Sequence, residues 1–90
     1  MSPKTALTRI VLDCLKPHQP AIHAVASDMM DISGISYIDI DTVEVDSETE
    51  SIKVTIHGVN LDYNAIEKKL NEVGVVVHSI DKVIAGKFTN

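Results

Sequence analysis

Apolar and polar residues alternate from Arg9 to Leu15, with Ile10, Leu12 and Cys14 on one parity and Arg9, Val11 and Asp13 on the other. A period of two is that of a half-buried strand. The period then changes. Ile22, Val25, Met29 and Ile32 are spaced 3-4-3, the buried stripe of a helix, and Gly34 follows. The same order recurs downstream. Ser51 to Val59 alternates, Tyr63, Ile66, Leu70 and Val73 repeat the 3-4-3 spacing, and Gly74 closes the unit. Each helix leads into a further strand, Tyr37 to Asp46 and Val75 to Ile80. Two βαβ units in one short chain predict an α+β, ferredoxin-like βαββαβ sandwich. Its antiparallel sheet has the strand order four, one, three, two. Both helices cover one face and the other face is bare.

Local signals set the boundaries. Lys16-Pro17-His18-Gln19-Pro20 ends the first strand, because proline donates no ladder hydrogen bond and restricts its predecessor. Pro20 suits the first turn of a helix running to about Asp31. In the second strand Ile38 and Ile40 face the core and Asp39 and Asp41 face outward. The phase then slips, since Val43 and Val45 share the parity of the aspartates. Either a bulge restores them or two valines lie on the bare face. A hairpin turning around Glu48 sets Asp39 opposite His57, Asp41 opposite Thr55 and Val43 opposite Lys53. Asn60 or Asp62 caps the second helix. His78 shares the parity of Val76 and Ile80 and is expected to be half-buried. Ile10, Leu12, Ile22, Val25, Met29, Ile40, Val54, Ile56, Ile66 and Leu70 are the expected core. Residues 1–90 form one domain, in which 1–7 and 86–90 read as flexible or oligomer-contacting ends and Lys82 to Ala85 as an apolar extension of the fourth strand.

Composition narrows the function. A net charge of −5 without a basic run argues against nucleic acid and against an anionic membrane surface. Strands one and three carry no aromatic platform for bases. No run approaches the ~20 apolar residues of a membrane span, and Asp13 interrupts the only early apolar stretch, so neither a spanning segment nor a signal peptide is expected. The single Cys14 has no internal disulfide partner and sits on the buried parity, which points to a reducing cytoplasm and an inert thiol. No Ser-His-acid relay, Gly-rich phosphate loop or Cys-x-x-Cys pair is present.

The runs RIVLDCLKPHQP (Arg9 to Pro20) and VHSIDKVIAGK (Val77 to Lys87), with the VDSETE turn (Val45 to Glu50), resemble an archaeal family of small proteins, domain-of-unknown-function family 211. The resemblance spans nearly the whole chain. It implies a ferredoxin-like fold, assembly into homo-oligomeric rings and, in some members, an associated divalent cation such as calcium. It implies no activity.

Candidate chemistry lies on the outward face. Asp13, Asp39, Asp41 and Asp81 are the candidate metal ligands, since calcium takes six to eight oxygens and prefers carboxylates. Arg9 and Lys53 share that face, so cross-strand ion pairs are the plainer reading. The four histidines show no zinc spacing. His18, before a helix N-terminus that favours anions, and His57, on the outer face, are the candidate ligand-binding residues. The expectation is a non-enzymatic, homo-oligomeric binding or regulatory module, taking a divalent cation or a small ligand at subunit interfaces. The alternatives are an enzyme whose acid/base group, an outer-face Asp or His57, is completed across subunits, and a scaffold without a ligand.

Overall fold

The computed structural model describes residues 4–88. The elements are β1 (Lys4–Pro17), α1 (Ile22–Met29), β2 (Ile35–Val45), β3 (Thr49–Gly58), α2 (Tyr63–Glu72) and β4 (Val76–Phe88). They form one four-stranded antiparallel sheet in the order β2-β3-β1-β4, the expected ferredoxin-like arrangement. β1 and β3 are central, and β2 and β4 are edges.

The core lies between the sheet and the two helices. Ile10, Leu12 and Cys14 of β1 and Ile52, Val54 and Ile56 of β3 meet Val25 and Met29 of α1 and Ile66 and Leu70 of α2, all fully buried. Of the expected core, Ile22 and Ile40 are only half-buried, being at the first turn of α1 and on edge strand β2. Helix α2 is capped by Asp62, whose Oδ1 accepts from the Ala65 amide at 3.3 Å. Helix α1 has no side-chain cap and starts later than expected, beyond Pro20 and the N-cap Ala21. Gly34 and Gly74 both adopt φ of +92°, the left-handed region that costs glycine little.

The hairpin register differs from the expected one. The turn closes with the Asp46 amide donating to the Thr49 carbonyl at 2.8 Å, so the tip is Ser47-Glu48. Pairing runs Val45 to Glu50 and Glu44 to Ser51, then skips Val43 and resumes at Thr42 to Ile52. Val43 is therefore the inserted residue of a bulge. The tighter tip and the bulge each move the register by one, so Asp39 faces Thr55, Asp41 faces Lys53 and Tyr37 faces His57. The bulge returns Val45 to the parity of Ile40 and Thr42. Even so, no helix reaches it, and Val43 and Val45 remain 66% and 61% exposed.

β4 departs from simple alternation twice more. Its pairing with β1 skips His78, between Val77 and Ser79, and Asp81, between Ile80 and Lys82. Val75 is buried and Val77 half-buried, so Val76 and His78 point out, contrary to the expected parity. The run Val75-Val76-Val77 is apolar on both parities, and alternation within it cannot choose a face. Beyond the sheet proper, β1 and β4 continue as a two-stranded arm in which Leu7, Ala6, Thr5 and Lys4 pair with Ala85, Gly86, Lys87 and Phe88. The molecule is accordingly elongated, 54 × 23 × 17 Å.

Candidate functional site

The uncovered sheet face carries most of the polar chemistry. Its rows follow from the register. Asp41 of β2, Lys53 of β3, Asp13 of β1 and Ser79 of β4 form one row; Tyr37, His57, Arg9 and Ile84 form another. Between them Val11 and Thr55 are buried although no helix covers them. They sit on the two central strands, flanked along each strand by the longer side chains of Arg9, Asp13, Lys53 and His57.

The four candidate metal ligands do not converge. Asp39 and Asp41 lie on edge strand β2, while Asp13 and Asp81 lie on β1 and on the opposite edge β4. The cationic Lys53 stands in register between Asp41 and Asp13. Asp13 is instead paired with His78, Oδ2 to Nδ1 at 3.2 Å, and Asp81 accepts from the Ser79 hydroxyl at 2.7 Å. Among the described residues no group of three or more His, Cys, Asp or Glu side chains is poised to hold a metal ion. Calcium takes six to eight oxygens at 2.3–2.6 Å, and the four aspartates of one subunit are not gathered in that way.

His57 and His18 have different surroundings. The His57 ring is stacked on Tyr37, with centroids 4.1 Å apart and planes inclined by 14°, in a half-buried position beside Arg9. It remains on the open face, where a ligand can reach it. His18 is occupied: Nδ1 lies 3.0 Å from Glu50 Oε2 and Nε2 lies 2.9 Å from the Ser47 carbonyl oxygen. It ties the loop after β1 to the tip of the β2–β3 hairpin rather than facing α1 as an anion site.

Sequence reasoning missed Lys16. It has the parity of Cys14 and Leu12, which buries it, and its side chain has no exposed surface. Its ammonium donates to the carbonyls of Pro17 (2.8 Å) and His18 (3.3 Å) and to Glu50 Oε1 (3.0 Å). All three donors are used, which is how a buried amine is tolerated. The signal was available: Lys16 and Glu50 continue the core parities of β1 and β3. His78 was also misread, and its bulged position, 70% exposed at the side chain, sets it against Asp13 rather than in the core.

Small depressions are present. An apolar cleft of about 170 Å³ at the end of the sheet is lined by Leu15, Lys16, Pro17, Thr49, Gly74 and Val76. A wide groove runs along the outer face of α2 past Asn64, Lys68 and Asn71. Neither gathers the candidate residues. Among the described residues no helix is long and apolar enough to cross a membrane.

Comparison with known proteins agrees with the geometry in assigning no chemistry. Residues 8–89 match the family model of domain-of-unknown-function family 211 (DUF211), described as Uncharacterized ArCR, COG1888. The chain is similar to an archaeal relative, "Uncharacterized protein MJ0319" of Methanocaldococcus jannaschii. They are 47% identical over 81 residues, covering 90% of this chain and 84% of the relative.

Proposed function

The chain belongs to the DUF211 family, and since that membership carries no activity, we propose from its surfaces that it is a non-enzymatic, homo-oligomeric binding or regulatory module. Its subunits join edge to edge and take a divalent cation or small ligand at the joint. The observation that carries this reading is the pair of edge strands with exposed apolar side chains. β2 presents Val43 and Val45, and β4 presents Ile80, Val83 and Ile84, all exposed. Unpaired edges with apolar side chains favour pairing with another chain. β2 runs antiparallel to β4, because each step across β2-β3-β1-β4 reverses direction. A second copy set beside the first in the same orientation thus extends the sheet in the antiparallel sense. Such a contact is heterologous, and it closes into a ring where the rotation permits.

The same joint supports the cation reading. Asp39 and Asp41 sit on one edge of the sheet and Asp81 on the other, so β2-to-β4 association brings carboxylates of two subunits together. A reducing, cytoplasmic setting suits the free, buried Cys14.

Light scattering or sedimentation of the purified chain tests assembly. The expected result is a discrete oligomer at micromolar concentration that dissociates on Val43→Asp combined with Ile84→Asp. A monomer would refute assembly, and an oligomer surviving both substitutions would move the interface elsewhere.

An enzymatic reading has one observation in its favour. His78 Nδ1 lies 3.2 Å from Asp13 Oδ2 on a side chain that is 70% exposed, which sets a carboxylate beside a solvent-accessible candidate base. A broad hydrolase and isomerase screen with His78→Gln as control tests it, and turnover lost in that variant would favour it over the binding module.

A further inference from the structure

The cluster that joins the β1–α1 loop to the hairpin tip belongs to neither the outer face nor the sheet edges. We infer that Lys16, Glu50 and His18 form a proton-operated latch: protonated His18 holds the Ser47-Glu48 tip against the loop, and loss of that proton frees the tip. The latch does not depend on the assembly reading.

Hydrogen-bond accounting carries the inference. The Ser47 carbonyl oxygen and the Glu50 carboxylate can only accept. They stand 2.9 and 3.0 Å from the two ring nitrogens of the same imidazole. A neutral imidazole has one N–H, so whichever tautomer forms, one nitrogen lone pair is left facing an oxygen lone pair. Both contacts are satisfied together only by the imidazolium.

Glu50 cannot relieve the conflict by swinging away. Its other oxygen is pinned by the buried Lys16 ammonium at 3.0 Å, and that ammonium is itself fixed by two loop carbonyls. The yielding part is therefore the tip. Residues 46–48 are exposed, and the turn is closed by the Asp46-to-Thr49 hydrogen bond. His18 remains 43% exposed at the side chain, so solvent protons reach it.

The charges around the ring favour the imidazolium. Its proton affinity is raised first by the hydrogen bond to Glu50 and next by the Ser47 carbonyl; partial burial and the Lys16 charge oppose them. Glu50 is held below the usual carboxylate range by His18 and then by Lys16. Asp46 and Glu48 flank Ser47 in the turn, and His23 is the first titratable residue of α1; the hydrogen bonds and the ion pair of the ring run to Glu50 and Ser47.

The direction of the pH effect follows. The His18 contribution is complete below the ordinary imidazole value, about 6.5, and is lost as pH rises through the elevated folded value. The Glu50 contribution is complete above the ordinary glutamate value, about 4.3, and is lost as pH falls through its depressed one. The latch is closed between them.

Nitrogen-detected NMR titration of the full chain, with amide hydrogen exchange corrected for intrinsic rates, tests this. The expected result is His18 with both ring nitrogens protonated near pH 6 and a midpoint above that of the same residue in the urea-unfolded chain. Protection at the Asp46 amide, which donates to the Thr49 carbonyl and closes the turn, should fall above that midpoint. By linkage the closing equilibrium weakens about tenfold for each pH unit separating the two midpoints, so the two measurements must agree. His18→Gln, which keeps a single donor group, should leave protection at the tip flat across the range. A wild-type midpoint at or below the unfolded value, or tip protection that ignores the titration, would overturn the latch, and the wild-type titration stands even if the variant folds poorly.

Discussion

Lys16 and Glu50, 34 residues apart in the chain, are register partners at the end of β1 and β3 and are joined Nζ to Oε1 at 3.0 Å. The lysine side chain has no exposed surface. Replacing it with methionine keeps the aliphatic stem and removes the donors of two loop carbonyls. Lys16→Met should cost about 1–3 kcal/mol in urea denaturation, the usual penalty for buried acceptors left unpaired. A change within experimental error would mean that the loop carbonyls find water instead.

Gly58 should not tolerate a side chain. A Cβ there would overlap the Gly34 carbonyl oxygen and lie 2.7 Å from Leu61 Cδ2. The Val59 amide donates to that same carbonyl at 2.9 Å, so the backbone cannot retreat without losing the bond. Gly58→Ala is expected to destabilise by about 1–3 kcal/mol through overpacking, read as a lowered denaturation midpoint with an unchanged slope.

Leu70 anchors α2 in the core with no exposed surface. Leu70→Ala should cost roughly 2–5 kcal/mol through lost burial and the cavity left behind. A loss below about 0.5 kcal/mol would show that the helix slides to fill the space.

Cys14 should be inert in the native protein. Burial, and then the negative charges of Asp13 and Asp81, push its thiol up to about 12. Thiol reagents act on the thiolate, so labelling should await denaturation. Because an unfolded thiol ionises near 8.5, the Cys14 contribution to stability is complete below that value and declines as pH rises toward the folded one. Cys14→Ala should flatten the alkaline limb of the stability curve.

Calcium is expected to bind the assembled protein, through Asp39, Asp41 and Asp81 brought together at the joint. Calorimetric titration should give a saturable heat that Asp39→Asn with Asp41→Asn abolishes, and chelator should lower the melting temperature. No heat, with melting unchanged in chelator, would discard the cation reading while leaving assembly to its own test.

The order of strands and helices, the apolar helix-facing residues of β1, β3, α1 and α2, and the burial of Cys14 were determined by the sequence by itself. Each depends on a local period, two for a strand and 3.6 for a helix, which a few neighbouring residues express. The bulges at Val43, His78 and Asp81 were decided only by the tertiary structure, because an inserted residue is defined by the strand it fails to pair with. With them went the partners of Asp39 and Asp41 and the exposure of His78. The candidate aspartates are legible as outward-facing residues, yet their separation onto opposite edges depends on the β2-β3-β1-β4 order and on Lys53 standing between them. Lys16 and His18 were hidden for the same reason. A lysine before a proline reads as a solvated strand end until Glu50, brought alongside by the sheet, supplies the charge that lets it be buried.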